Sequence, residues 1–562
     1  MQKYLLSLDS NWLSYNTIMV DRLLPTPRWL LAPETLKLPQ KTADVIVVGG
    51  GIAGLTTAIC AVEQGARVYL ATKDSLEESN SFYAQGGVAA VLDSSDSFEL
   101  HRQDTIRAGD GLCNDEVVKI VVNEGPAAIE RLIAYGSDFD KEEGHLALSR
   151  EGGHSAPRVV HNRDSTGMEI QRALINKVRS LRALSIHEQL FVLDLLVSEG
   201  RCVGVLAWSE KEGFFSVLAG CTILTSGGAG QVYRESTNPE VATGDGLAMA
   251  FRAGAEVADL EFFQFHPTVL YLAGAPRILI SETARGEGGI LRDRSGVRFM
   301  ADYAPAAELA PRDLVSRSIL DRMTRTNATH VNLDMTHLGA DFLETRFPKI
   351  HEFCARYSID VSKDYIPVRP AAHYMIGGVR TDVHGRTTLP GLFACGEVAS
   401  SGLHGANRLG SNSLLEGLVF GWRAGLAALE ETRSAPRAAW RPTQSSPKGA
   451  AMEYGIDVWD LRNSLTSLMW RNVGIVRDLA SLDEARDTLE VWARLVANAT
   501  LRWPSSWELA NMLTLSRLIV TAALLRTESR GVHFRKDYPS RNDSAWRRST
   551  VFGARSYEDQ SR

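Results

Sequence analysis

Residues Val45-Ile46-Val47-Val48 run straight into Gly49-Gly50-Gly51-Ile52-Ala53-Gly54. A short branched aliphatic run ending in a G-x-G-x-x-G turn leaves little choice of fold. It predicts a buried strand over 44–49, a tight turn and a helix over 53–64. Arg67–Thr72 supplies the next strand, which makes the opening a βαβ unit. In such a turn Gly49 permits the reversal, Gly51 lets a pyrophosphate come close, and Gly54 lets helix and strand pack together. The helix start then offers free N–H groups and a positive dipole end to the phosphates. Val45–Val62 is also eighteen residues without a charge, long enough to raise the question of a membrane helix. The four glycines rule that reading out.

The second strand ends Leu70-Ala71-Thr72-Lys73. An ordinary NAD site has an acidic residue there to bind the ribose, so this ending argues against one. Ala219–Ser226 is a second buried-strand pattern. It closes on Gly227-Gly228-Ala229-Gly230 and is expected to re-enter the same sheet. Far downstream, Gly391–Cys395 leads into Gly396-Glu397, and 404–417 read His-Gly-Ala-Asn-Arg-Leu-Gly-Ser-Asn-Ser-Leu-Leu-Glu-Gly. The last segment sets an arginine, Arg408, beside a turn that opens a helix at Ser413-Leu414. Two distant parts of the chain are therefore expected to close around one dinucleotide.

The chain has 562 residues, enough for two to four domains. Its 44 % hydrophobic and 23 % charged composition is that of a soluble globular protein. The net charge of −6 argues against a nucleic-acid partner. Six scattered cysteines form no C-x-x-C pair, so no metal site is expected, and they suit a reducing cytosol. The first ~40 residues are interrupted by Lys3, Asp9, Asp21 and Arg22 and lack a secretory core. They read as a transit segment or an ordered arm.

These motifs resemble, in order and in spacing, the flavoprotein family of succinate dehydrogenase, fumarate reductase and L-aspartate oxidase. The resemblance covers about 43–548. It implies an α/β fold: a two-dinucleotide-type Rossmann-like FAD domain, an inserted α+β capping domain and a helical C-terminal domain. The expected divisions are an N-terminal extension over 1–42, the FAD domain over 43–258 and 375–438, the cap over 259–374, the helical domain over 450–548 and a basic tail over 549–562. Pro436–Gly449 reads as a linker. Helical periodicity is visible at Val458, Leu461, Leu465, Leu468 and Val473, and a second apolar helix over Asn511–Leu525.

The resemblance also assigns residues. Lys73 takes the family's frequent Ser/Thr-Lys position after the second strand. Asn80-Ser81-Phe82-Tyr83-Ala84-Gln85-Gly86-Gly87 resembles the loop that wraps the flavin. Members that bind FAD covalently carry a histidine five residues before the glutamine. Asn80 stands there instead, which implies one non-covalent FAD per chain. Asp245, between Gly244 and Gly246, corresponds to the adenosine side, and Glu397 to the polyol chain. The N–H groups of Ser413 and Leu414 correspond to the flavin N1/C2 edge.

For the substrate, the resemblance points to a four-carbon dicarboxylate. Arg408 and His373 match the grip on one carboxylate, and His266 with Gln264 and Ser281 the grip on the other. Arginine suits this because its planar fork meets a carboxylate in two bonds. Arg312 matches the arginine that moves a proton, and Glu282 with Arg285 a relay feeding it. The segment Arg150-Glu151-Gly152-Gly153-His154-Ser155 resembles the oxidase branch, where Glu151 would meet a substrate ammonium group. The implied reaction is oxidation of L-aspartate to iminoaspartate by hydride transfer to FAD, with dioxygen or fumarate as acceptor. In the family this is the first step of de novo NAD synthesis in the cytoplasm, ahead of quinolinate synthase, and it involves no membrane. The alternatives are a soluble fumarate reductase or succinate dehydrogenase flavoprotein, and a flavin-holding scaffold without turnover.

Overall fold

The computed structural model describes residues 17–20, 27–30, 38–434 and 456–553. The expected linker at 436–449 and most of the N-terminal arm lie outside them. Five strands form the central sheet: β1 (Val45–Val48), β2 (Val68–Ala71), β3 (Leu184–His187), β4 (Cys221–Leu224) and β5 (Leu392–Ala394). Their spatial order is β3-β2-β1-β4-β5, and every pairing is parallel. Strand β4 thus re-enters beside β1 as its sequence implied. All four residues of β1, β2 and β4 are buried, which is why they read as continuous aliphatic runs.

Helix α1 (Ile52–Glu63) follows the glycine turn. A Cβ on Gly49 would lie 2.3 Å from the Thr225 carbonyl oxygen, and its φ is +121°. A Cβ on Gly54 would lie 2.0 Å from the Gly49 carbonyl oxygen. Only glycine fits either place. Helix α2 (Asp245–Arg252) opens after Gly244, and its first residue lines the cleft described below.

The capping region is an antiparallel sheet whose longest strands are Phe263–Leu270 and Ile366–Met375, backed by helix α3 (Arg312–Arg325). It has its own apolar core around Leu291, Phe299, Ile319 and Leu333. After β5 the chain forms helix α4 (Asn412–Ser434), which lies along α1. Gly417, Gly421 and Gly425 face α1 at four-residue spacing, and a Cβ on Gly421 would sit 2.7 Å from the Ala53 carbonyl oxygen. The close approach lets Thr57 Oγ1 donate across to the Gly421 carbonyl at 3.0 Å.

Helices α5 (Val458–Val473), α6 (Leu479–Ala497) and α7 (Pro504–Leu525) make the C-terminal bundle. Helix α7 starts seven residues before the expected Asn511, at a proline suited to a first turn. It is apolar and long enough to cross a membrane, but 72 % of its most apolar window is buried in the protein. The C-terminal boundary differs from expectation. Ser549–Phe552, expected to begin a tail, is a strand, and Thr17–Val20 of the arm pairs with it in parallel. Val551 and Phe552 are fully buried, so the tail begins later than its basic composition suggested.

Candidate active site

A long cleft runs between the sheet, the cap and the start of α4, enclosing about 1730 Å³ of non-protein space, part of it open to solvent. At one end it is floored by Gly49, Gly50, Gly51, Ile52 and Ala53, with Lys73 and Asp245 at the far corner. Asn80, Ser81 and Tyr83 to Gly87 form its wall, and Glu397, Ser413 and Leu414 approach from the other side. Gly54 and Phe82 do not line it. Gly54 serves the helix–strand contact, and Phe82 packs edge-on against Tyr83 at 5.4 Å.

The fingerprint turn is held in place by side chains. Ser81 Oγ accepts from the Ile52 N–H at 3.2 Å, and Gln171 Nε2 donates to the Gly50 carbonyl at 2.6 Å. The Lys73 ammonium is gripped by Asp245 Oδ2 at 2.7 Å and Glu508 Oε1 at 2.6 Å. Burial alone would lower its pKa, yet the two carboxylates hold it above the ordinary value. Asn511 Nδ2 donates to the other oxygen of Asp245 at 2.7 Å. Helix α7 therefore reaches the Lys73–Asp245 corner of the cleft through Glu508 and Asn511, which no motif in the sequence announced.

Asn80 Nδ2 donates to Glu397 Oε2 at 2.7 Å, and the Met375 N–H donates to Glu397 Oε1 at 3.0 Å. Burial pushes the Glu397 carboxyl up. The cleft also carries buried polar atoms with no hydrogen-bond partner among the described residues: Asn80 Oδ1, Gln85 Oε1, Ser226 Oγ, His266 Nε2 and Arg408 Nε. Leaving such groups unpaired is costly. Donors and acceptors spread along a glycine-floored trough fit a polar dinucleotide, FAD, and its substrate.

Ionisable side chains converge at the other end. Arg312 Nε donates to Glu282 Oε2 at 2.5 Å and its Nη1 to Gln264 Oε1 at 3.3 Å. Arg408 Nη1 donates to the same Gln264 oxygen at 3.2 Å, and its Nη2 to Ser413 Oγ at 2.6 Å. Gln264 does not line the cleft. It lies behind the two guanidiniums and spaces them with one oxygen, while its amide donates to Asn407 and to the Arg408 carbonyl. Burial, then the neighbouring Arg312, brings the Arg408 pKa down to about 10. The Arg408 guanidinium lies 4.6 Å from the Tyr374 ring centroid.

Glu151 is 4 % exposed and accepts from Ser411 Oγ at 2.7 Å. Burial and the nearby Glu282 charge raise its pKa. Burial would raise Glu282 as well, but Arg312 and Arg285 keep it below the ordinary value. Arg285, also outside the cleft lining, pairs with Glu282 Oε1 at 3.5 Å, so Arg285, Glu282 and Arg312 form a continuous chain of charges. Three glycines make room for the carboxylates. A Cβ on Gly86, Gly152 or Gly410 would lie 3.1, 2.4 or 2.8 Å from an oxygen of Glu151 or Glu282.

His266 and His373 meet edge to face at 5.2 Å. Burial, reinforced by the guanidiniums, drives both pKa values well down, so both rings are neutral. His373 Nδ1 is 3.0 Å from Thr237 Oγ1, leaving its other nitrogen for a ligand. Ser281 caps the short helix Glu282–Gly286 and lines the cleft. The Glu151 loop is pinned from behind: His154 Nε2 reaches the Gly410 carbonyl at 3.1 Å, and Arg158 pairs with Asp96 and Asp104 at 2.8 and 2.6 Å. Sequence reading missed Ser411, Ser226 and Thr237. Ser411 was hidden inside a quoted motif, and its φ of +60° marks a strained turn that only coordinates reveal. Among the described residues no cluster could hold a metal ion.

The fold and this cleft define an FAD-dependent flavoprotein. The family model described as FAD binding domain matches residues 44–414, and that described as fumarate reductase flavoprotein C-term matches 462–562. The chain belongs to this flavoprotein family. Among its relatives, L-aspartate oxidase of Streptomyces coelicolor is 45 % identical over 94 % of this chain and 92 % of its own. The chloroplastic L-aspartate oxidase of Oryza sativa is 42 % identical over 91 % of this chain and 84 % of its own. Among solved structures, an E. coli quinol fumarate reductase aligns with a TM-score of 0.85 at 32 % identity, covering 92 % of this chain and 94 % of that one.

Proposed function

We propose that the chain oxidises L-aspartate to iminoaspartate, with one non-covalently bound FAD. Bound FAD would take the hydride from the substrate α-carbon and be reoxidised by dioxygen or fumarate. The protein's own groups bind, orient and move protons. Arg408 and neutral His373 hold one substrate carboxylate, and His266 with Ser281 the other. Glu151 meets the ammonium, and its raised pKa suits it to take a proton from nitrogen as the imine forms. In fumarate reduction Arg312 supplies a proton to carbon, and Glu282 and Arg285 restore it.

The observation that carries this reading is Glu151. It is buried beside Glu282 and accepts from Ser411, while Arg312 and Arg408 offset its charge only from a distance, so a substrate ammonium would give it a direct ionic partner. Succinate and fumarate bring none, and aspartate does. Asn80, hydrogen-bonded to Glu397, supports a flavin that acid precipitation releases to the supernatant. The reaction would stand at the first step of de novo NAD synthesis in the cytoplasm, away from membranes and nucleic acid, with quinolinate synthase consuming the product.

Anaerobic mixing tests this. L-aspartate should bleach the flavin absorbance and succinate should not. Bleaching by succinate alone assigns the chain to the succinate dehydrogenase and fumarate reductase branch. Bleaching by neither leaves a flavin-holding scaffold.

A further inference from the structure

A second cavity, about 1230 Å³ of non-protein space that is partly open to solvent, lies behind the substrate end of the cleft. It is surrounded by the end of the helix Phe98–Ala108, residues 152–153, Glu282 and the start of α3 in the cap, residues 407–410, and the C-terminal segment 529–541. The two spaces share Glu282, Arg312 and Arg408 as lining residues. The partition between them is therefore these three side chains together with the adjoining glycine backbone at 152–153 and 410.

Exposure falls steadily across the cavity. At its rim, the Arg107 side chain is 69 % and that of Arg541 40 % exposed, and Pro311 and Pro539 are exposed as well. At its inner end Arg312 and Arg408 are 9 % and 8 % exposed. Six arginines line it against four carboxylates. Most of these charges are already paired: Arg317 with Asp313 at 2.9 Å, Arg541 with Asp110 at 2.5 Å, and Arg107 with Asp104 at 3.3 Å. Arginines outnumber carboxylates among the lining side chains, although Glu528 and Asp543 hold Arg530 from behind, and exposed paired arginines can exchange partners with a passing carboxylate at small cost. Such a funnel with low-dielectric walls focuses its field on anions.

We infer that this cavity is the port through which the dicarboxylate enters and the imino acid leaves, with Arg312 and Glu282 as its inner door. The inference rests on the substrate site proposed above. Bound FAD would occupy the glycine-floored cleft, which leaves the vestibule, lined by six arginines and four carboxylates, as the approach to the reacting end. Arg312 and Glu282 line both spaces, so their ion pair stands between the vestibule and the cleft.

The test is a reversible plug. Arg107→Cys and, separately, Pro539→Cys place a thiol on opposite rims of the FAD-loaded enzyme. Each is modified with a bulky disulfide-forming reagent, and the wild type treated the same way controls for its own cysteines. Cys113, the half-buried native thiol nearby, has its pKa pushed up to about 12 by burial and should stay unmodified. Modification should lower kcat/KM for both L-aspartate and fumarate about tenfold or more at either rim, leave the flavin spectrum unchanged, and be reversed by dithiothreitol. If both plugged variants turn over at the rate of their own reduced forms, the port is elsewhere. If the unmodified wild type is not bleached by L-aspartate, the underlying substrate reading fails instead, so the two failures are distinct.

Discussion

At the dinucleotide end of the cleft, Gly49, Gly50 and Gly51 present backbone with no side chain between it and the ligand. At the substrate end, Glu151, Glu282, Arg312 and Arg408 are buried charges that hold one another. Backbone recognition depends on φ angles and on the absence of Cβ atoms. It is insensitive to pH and tolerates surface change nearby. Recognition by buried charge depends on every partner being present, because removing one leaves another unpaired in a low-dielectric site. The two ends should therefore fail in different ways when mutated.

The largest effect is expected at Arg312. Arg312→Leu removes the charge that pairs with Glu282 and spans the substrate site. A preorganised contact made in the transition state is worth roughly 3–4 kcal/mol, about 10²–10³ in rate. Aspartate oxidation and fumarate reduction should both fall by that factor in steady-state assays, with FAD content unchanged. Near wild-type rates for both reactions would remove Arg312 from the chemistry.

Glu151→Gln divides the substrate end further. It keeps the shape and the Ser411 contact but removes the charge. A charge-assisted contact is worth about 1.5–3 kcal/mol, roughly ten- to a hundredfold. Aspartate kcat/KM should fall by that amount, and fumarate reduction, which presents no ammonium, much less. Equal losses in both would show that Glu151 does not sense the amine and would weaken the case for aspartate.

The contrast between the ends also decides what could be read from sequence. The glycine fingerprint was legible because each glycine answers a local backbone need at fixed spacing, and β4 and β5 were legible as aliphatic runs leading into glycine. The charged residues could be named only by resemblance, since Gln264, Glu282, Arg312 and Arg408 come from separate segments and their pairing is a property of the fold. Gln264 was expected to hold substrate, but it lies behind the two arginines. The Lys73–Glu508 bridge was invisible because it joins residues 435 positions apart. Helix α7 could not be delimited by amphipathicity because it is buried on nearly every face.

Gly51→Ala probes the backbone end. Gly51 has an ordinary φ of −76°, and its added Cβ would meet only Ser81 Oγ at 3.2 Å and Ser79 Cβ at 3.9 Å. The fold should survive, unlike with Gly49→Ala, while the methyl intrudes where the pyrophosphate approaches. Overpacking of this size costs about 1–2 kcal/mol, so the FAD dissociation constant should rise roughly five- to thirtyfold. Titration of the apoprotein by flavin fluorescence measures it. The ratio of aspartate to fumarate activity at saturating FAD should not move. If that ratio shifts, the two ends are coupled and the comparison fails.

The smallest effect concerns pH, and it is read at a histidine behind the substrate end. His101 is fully buried behind the start of α4, with Nε2 2.9 Å from Asn412 Oδ1 and its ring 6.0 Å from that of His154. Burial, with the neighbouring His154 and Arg158 charges adding to it, brings its pKa down to about 4. An unfolded chain protonates this ring near pH 6.5. Between pH 6.5 and 4 the unfolded state thus binds a proton that the folded state refuses, and stability drops as pH falls through that window. His101→Gln keeps a donor for Asn412 and removes the titration. Each pH unit inside the window is worth at most ~1.4 kcal/mol per group, so in a protein of this size the difference is of order a degree or two in the thermal midpoint. The gap between wild type and His101→Gln should be widest at pH 7 and narrow toward pH 5 when the FAD-loaded proteins are melted side by side. A gap independent of pH would mean that His101 titrates alike in the folded and unfolded states, and the substrate end would lose its assigned share of the acid sensitivity.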